Sequence, residues 1–279
     1  MSYKTILVHV DQSRHVNARI RLAGEIAQAE HAHLIGAALS GISRYVFDNG
    51  AINPNDAMIT HHLDALRQSA QIALDNFNKI TGETRLPSVE ARLVDDDAGG
   101  GMALQARYAD LVVIGQPDPT EALPGLMPDF PEYVLLHSAR PVLILPHGGT
   151  FHYRFKRPLI AWDESMTATR AVTAALPLLQ QAEQTDLIVF NADEAPDAHG
   201  QQPGADIALY LARHGVRVTV HQAQNAQDTG TALLATATEL GSDLIVMGGY
   251  GHARFREILL GGVTRTLLNA MTVPVLMAH

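Results

Sequence analysis

Cysteine is absent from the 279 residues, which excludes a disulfide framework, a thiolate zinc centre and a cysteine nucleophile. The same absence fits a cytoplasmic protein. No apolar run approaches the roughly 20 residues that a membrane helix needs. The start, Met1-Ser2-Tyr3-Lys4-Thr5 followed by ILVHVD, reads as an immediate first strand and not as a signal peptide. Positive charge is short too: 20 Lys and Arg stand against 29 Asp and Glu, a formal net charge of −9. Nucleic-acid binding needs a concentrated basic face, whereas these basic residues are scattered, the tightest group being Arg254, Arg256 and Arg265. Neither nucleic acid nor membrane is therefore an expected partner. Two catalytic signatures are also missing: there is no G-x-x-x-x-G-K-[ST] P-loop and no G-x-S-x-G nucleophile elbow.

What is present is a globular composition, 47% hydrophobic and 18% charged, long enough for two domains. Apolar runs of strand length alternate with helical periodicity. Ile6 to Val10 ends at Asp11, and the next segment places Val16, Ile20, Ala23 and Ala27 on one helical face. Leu159 to Trp162 ends at Asp163, followed by Ala168, Val172, Ala175, Leu176 and Leu179 at the same spacing. This change of period is the signature of parallel strands joined by helices.

The pattern is written twice. Ala109-Asp110-Leu111-Val112-Val113-Ile114-Gly115 corresponds to Ser242-Asp243-Leu244-Ile245-Val246-Met247-Gly248, and Pro141-Val142-Leu143-Ile144 to Pro274-Val275-Leu276-Met277, both at an offset of 133. The strand-ending aspartates Asp11 and Asp163 lie 152 apart, so the first half holds 19 extra residues, assigned to Gly41–Asp56 and the helix running to about Ile80. A tandem duplication results, with domains 1–149 and 150–279 meeting at Gly148-Gly149-Thr150. Each is expected to be a doubly wound α/β unit, a five-stranded parallel sheet of order 3-2-1-4-5 with helices on both faces. The ligand crevice of such a sheet lies at the carboxyl ends of its first and fourth strands.

Those ends carry the chemistry. After the fourth strand of the second half, Gly248, Gly251 and Gly261 form G-x2-G-x9-G and lead into a helix. Glycines let backbone approach a ligand closely, and the amides opening a helix form an anion site. Asp163 reaches the same crevice from the first strand. In the first half, Gly115 is followed instead by Gln116-Pro117-Asp118-Pro119, with Pro124 and Pro128 beyond. Prolines remove amide donors, and Asp118, Asp129 and Glu132 repel phosphate.

With these residues assembled, the chain resembles a tandem universal stress protein. The resemblance implies an adenine-nucleotide site formed by Ala161 and Asp163, by Met247, Gly248, Gly251 and His252, and by Gly261, Gly262, Val263 and Thr264. It implies ATP or another adenine nucleotide as ligand, with or without Mg2+, a regulatory or sensor role in a stress response, and a dimer of tandem chains. Gly262 departs from the family's usual Ser or Thr, removing a hydroxyl that Thr264 could supply. The first half reads as a pseudo-repeat with a degenerate site. Alternatives are a structural or protein-interaction member that binds no nucleotide, and a slow ATPase in which His252 is the only loop residue able to position water.

Competing motifs are weaker. Gly249-x-Gly251-x-x-Arg254 lacks the third glycine of a dinucleotide fingerprint. Gly99-Gly100-Gly101 reads as a flexible connection, and the fourteen histidines as solvated surface residues with no metal-ligand spacing. Ser165 and Thr167 read as helix caps, and Trp162 as a buried strand aromatic.

Overall fold

Short β-branched and aliphatic runs such as Thr5–His9 and Leu111–Gly115 are buried almost throughout, as strands covered on both faces must be. The computed structural model describes residues 2–42, 57–84, 86–121, 126–192, 202–224, 228–250 and 262–279. The chain divides into a first unit, residues 2–140, and a second, residues 141–279.

The first unit runs β1 (Thr5–His9), α1 (Val16–Glu30), β2 (His33–Leu39), α2 (Ala57–Glu83), β3 (Ser88–Val94), α3 (Ala98–Ala106), β4 (Leu111–Gly115) and α4 (Phe130–His137). Its strands lie in the order β3-β2-β1-β4, all parallel. The second unit runs β5 (Val142–Leu145), β6 (Pro158–Ala161), α5 (Met166–Leu179), β7 (Thr185–Phe190), α6 (Ala205–Arg213), β8 (Val218–Ala223), α7 (Thr229–Leu240), β9 (Leu244–Gly248), α8 (Gly262–Ala270) and β10 (Val275–Ala278). Its parallel strands lie in the order β8-β7-β6-β9-β10, the expected 3-2-1-4-5.

One detail differs from expectation. The closing strand of the first half, β5, groups with the second unit and runs antiparallel to β10, with Ile144 opposite Val275 and Val142 opposite Met277. The division therefore falls at 140/141, upstream of the glycine-rich 149/150. The reason is physical: these four-residue strands are fully apolar and buried, and pairing covers edges that would otherwise attract other chains. The extra length of the first half is visible as α2, a helix of 27 residues where its counterpart α6 has 9.

The repeated Asp-Leu pair has a structural explanation. The Asp110 carboxylate accepts the backbone N–H groups of Lys4 (2.7 Å) and Thr5 (2.9 Å), fixing the start of β1. Asp243 does the same for Lys156 (2.6 Å) and Arg157 (3.0 Å) before β6. Each side chain thus sets the register of a central strand against its neighbour. The three glycines at 99–101 are not a flexible connection: they form the first turn of α3, capped by Asp97, whose carboxylate accepts the Gly100 N–H at 2.8 Å. They permit close packing, since a Cβ at Gly99 would stand 2.7 Å from the Tyr133 ring and one at Gly101 2.5 Å from Leu39.

Asp243→Ala is expected to lower the stability of the second unit by about 1–3 kcal/mol, the penalty of leaving strand-initiating donors unsatisfied. Urea unfolding checks it, and an unchanged midpoint would show that water replaces the carboxylate at no cost.

Candidate functional site

The second unit's crevice begins with its strand order. β6 lies between β7 and β9, with Ala161 in register with Met247. The chain leaves β6 toward β7 on one side and enters β9 from the other, so the connections diverge at the carboxyl ends. Asp163, two residues past Ala161, stands exposed at this edge, and its Oδ1 accepts the Ser165 N–H at 3.1 Å. Ser165 caps α5 by accepting the Ala168 N–H at 3.0 Å. Trp162 is half-buried, not a core aromatic, and its backbone N–H donates to the Ile188 carbonyl at 3.0 Å.

Gly248 ends β9 directly against that first turn of α5. A Cβ there would lie 2.5 Å from both the Ala168 nitrogen and the Thr167 Oγ1, so no side chain fits. Beyond it, the Gly249 N–H donates to the Ala278 carbonyl (2.9 Å) and the Tyr250 N–H reaches the Thr264 Oγ1 (3.4 Å). This last bond ties the strand's exit to the start of α8. Thr264 is buried, so its hydroxyl oxygen serves the protein first. Gly262 opens the helix exposed, and a Cβ there would meet nothing within 4 Å among the described residues. Val263 is half-buried, and the Met247 side chain is turned into the core, leaving only its backbone for the crevice. Gly251, His252 and Gly261, with Arg254 and Arg256, lie outside the described residues.

Backbone strain marks the same place. Glu164 (φ 60°), Asn191 (φ 52°) and Tyr250 (φ 55°) are left-handed non-glycine residues just past the ends of β6, β7 and β9. Such conformations cost on the order of 1 kcal/mol or more each and gather at functional sites. Their counterparts in the first unit, Gln12, Ser40 and Pro117, are not left-handed.

The first unit has filled the equivalent space. Asp11 corresponds to Asp163, but its carboxylate receives the Arg19 guanidinium at 2.8 Å and lies 3.5 Å from His9 Nδ1. Arg19 also donates to the His9 carbonyl at 2.7 Å and occupies the space in front of Gly115. Its counterpart in the second unit is the buried Ala171. Burial favours the neutral form of Asp11, but Arg19, His9 and the Ser13 hydrogen bonds outweigh it and hold the carboxyl below the usual range. Burial, with Arg19 adding to it, pushes His9 down to about 4 against the pull of Asp11. Phe130, where the second unit has Val263, packs its ring 4.8 Å from that of His9. Asp129 and Pro131 stand where Gly262 and Thr264 would offer amides and a hydroxyl. The long α2 adds a roof, with Gln12 donating to Ser69 of that helix at 2.8 Å. A cavity of about 70 Å³ is left, lined by His9, Asp11, Gln12, Leu39, Ala70 and Ala98.

Sequence reasoning missed this plug, although a signal existed. Arg19 sits on the apolar stripe of α1 beside Ile20, and His9 interrupts the run ILVHV. A cation and an imidazole at core positions require a buried partner. Nor are all histidines solvated: His9 is buried, His33 meets Glu90 at 3.2 Å, and His221 meets the buried Asp186 at 2.7 Å. Among the described residues no group of three or more His, Cys, Asp or Glu could hold a metal ion, and no helix is long and apolar enough to cross a membrane.

A doubly wound parallel sheet with its crevice at the switch point defines a class of ligand-binding α/β folds. Within it, residues 154–279 match the model of the Universal stress protein family, so the second half of the chain is a universal stress protein domain. The whole fold is similar to a universal stress protein from Archaeoglobus fulgidus, at 18% identity and a TM-score of 0.74, covering 98% of this chain and 95% of that one. A universal stress protein from Pseudomonas aeruginosa UCBPP-PA14 matches at 15% identity and a TM-score of 0.64, covering 98% and 92%. A functionally unknown protein from Pseudomonas aeruginosa PAO1 matches at 15% and 0.63 over the same shares. No curated protein matches the chain.

The buried His9 gives a pH dependence. Its folded pKa lies near 4, below the ordinary 6.5, so the unfolded chain binds a proton that the fold refuses. This contribution is intact above pH 6.5 and is lost as pH falls toward 4, by about 3 kcal/mol at most. His9→Gln is expected to flatten that part of the stability profile, measured by urea unfolding at successive pH values. An unchanged slope would mean that other groups carry it.

Proposed function

We propose that the chain binds one adenine nucleotide, ATP or a relative with or without Mg2+, in its second domain (150–279). It acts as a regulatory or sensor module of a cytoplasmic stress response and works as a homo-oligomer. The first domain (1–149) carries a degenerate site and binds none. The observation that carries this reading is the convergence of Asp163 and Gly248 on one crevice, through the adjacency of β6 and β9.

The chemistry follows from the residues present. Asp163 accepts hydrogen bonds from ribose hydroxyls, and a charge-assisted bond contributes roughly 1.5–3 kcal/mol. The opening amides of α8, at Gly262, Val263 and Thr264, point N–H groups and the positive end of the helix dipole at phosphate. Gly251, His252 and Gly261 carry the loop between, as the family resemblance implies. The rim of left-handed residues and the absence of an internal cation at Ala171 support a ligand here. In the first unit, Arg19 already neutralises Asp11.

Calorimetry with ATP is expected to give a stoichiometry near one per chain; two equivalent sites would overturn the assignment of an inactive half. Asp163→Ala should weaken binding by about one to two orders of magnitude. Asp11→Asn, which leaves Arg19 a polar neighbour, should change it little. Equal losses from both variants would count against the reading.

Gly262→Ser tests the phosphate end. Among the described residues nothing stands within 4 Å of a Cβ at Gly262, so an added hydroxyl near the helix start should tighten ATP binding by about 1.5 kcal/mol, roughly tenfold. AMP, lacking the terminal phosphates, should gain much less. No change for either ligand would mean that the phosphates lie elsewhere.

A further inference from the structure

β3 ends the sheet of the first unit, and its sequence reads Ser88-Val89-Glu90-Ala91-Arg92-Leu93-Val94. Its hydrogen-bonding direction can be fixed. The Val94 carbonyl accepts the Ser40 N–H at 3.0 Å, so it points inward along the side of β2. Successive residues of a strand alternate in that direction. The N–H and C=O groups of Val89, Ala91 and Leu93 therefore point outward, along the open edge. Val89 and Leu93 are each 38% exposed, unusual for large aliphatic residues in a strand. All three lie on the sheet face of Leu34, Gly36 and Ala38, their register partners in β2.

The other face carries opposite charges two residues apart. Arg92 Nε lies 2.5 Å from Glu90 Oε1, and His33 Nε2 lies 3.2 Å from Glu90 Oε2. Laid antiparallel against itself about Ala91, the strand is self-complementary. Ala91 meets Ala91 of the second copy, and Val89 meets Leu93, in pairs that exchange about six backbone hydrogen bonds in all. Glu90 then faces Arg92 of the second copy in the non-hydrogen-bonded pairs, where Cα atoms are only about 4.5 Å apart and side chains interact most closely. The two charges alternate across the junction, and the aliphatic residues continue one apolar stripe on the opposite face. β8, which ends the sheet of the second unit, has no such pattern: Val218–Ala223 contains no pair of opposite charges.

We propose that β3 is a self-association edge, where a second copy of this chain adds its own β3 antiparallel about a twofold axis at Ala91. Edge strands usually resist pairing through proline or like charges that face one another. This one has neither between Ser88 and Val94, and its charges attract their images under the twofold.

The proposal deepens the homo-oligomer reading above, and sedimentation velocity over a wide concentration range tests both. The wild-type chain should be a dimer. Ala91→Pro removes the central outward N–H, a change an edge strand tolerates where the N–H faces solvent; it should raise the dissociation constant by about tenfold or more. Glu90→Lys and Arg92→Glu, each setting like charges opposite, should do the same. The double variant Glu90→Arg with Arg92→Glu reverses both charges and should restore the dimer. Circular dichroism controls for folding, and if Ala91→Pro misfolds, the charge variants decide alone. A dimer indifferent to all of them would sink the β3 edge and leave the homo-oligomer standing. A wild-type monomer would sink both, with the nucleotide site untouched by either result.

Discussion

The approach of Gly248 to the first turn of α5 is the contact on which the second unit's crevice depends. Only a hydrogen fits between the Gly248 backbone and the Ala168 nitrogen, so the end of β9 lies directly on the helix that follows β6. That closeness brings two features 85 positions apart, Asp163 and Gly248, to one edge of the sheet. The first unit has a glycine at the same position, Gly115, and uses the space differently: the Arg19 guanidinium takes it. One geometric vacancy, inherited by both halves, is filled by helix backbone in one and by a cation in the other.

From that single difference the rest of the divergence follows. Once Arg19 stands inside, Asp11 must be ionised and paired, because a buried cation without a partner costs several kcal/mol. His9 then faces both, and stays neutral. Phe130 covers the cluster where a helix start would otherwise present amides, and α2, with its extra turns, closes the side. These substitutions are mutually supporting, so no single reversal reopens the crevice. Removing Arg19 would leave the Asp11 carboxylate without its guanidinium partner beside His9, and Asp129 would still repel phosphate.

Most of the fold was legible because it rests on repeated, local patterns. The strand-to-helix change of period marked β1 with α1 and β6 with α5, and the offsets of 133 and 152 exposed the duplication. The aspartates before β4 and β9 were visible as a repeat but not as clamps, since their partners lie over eighty residues away in sequence. The Arg19–Asp11–His9 cluster was missed for a related reason. Spacing shows which residues share a face, but only the packed sheet shows that a cation on that face finds a carboxylate. Of the left-handed residues, Asn191 is of a type that favours that region, but Glu164 and Tyr250 carry no such signal. Backbone strain of this kind is imposed by tertiary packing, and the local sequence does not announce it.

The two crevices also differ in what holds them together. In the first, oppositely charged groups pair inside the protein, so its stability depends on pH and on the pair's own geometry. In the second, backbone held in costly conformations stands beside the exposed carboxylate of Asp163. That arrangement has a free energy a ligand can lower: any molecule binding the folded form alone stabilises it by RT ln(1 + [L]/Kd). In the first unit the Arg19 guanidinium and the His9 ring already stand at the corresponding strand ends. The duplication therefore carries two solutions to one geometric problem, a charged cluster at the strand ends of one half and strained backbone at those of the other.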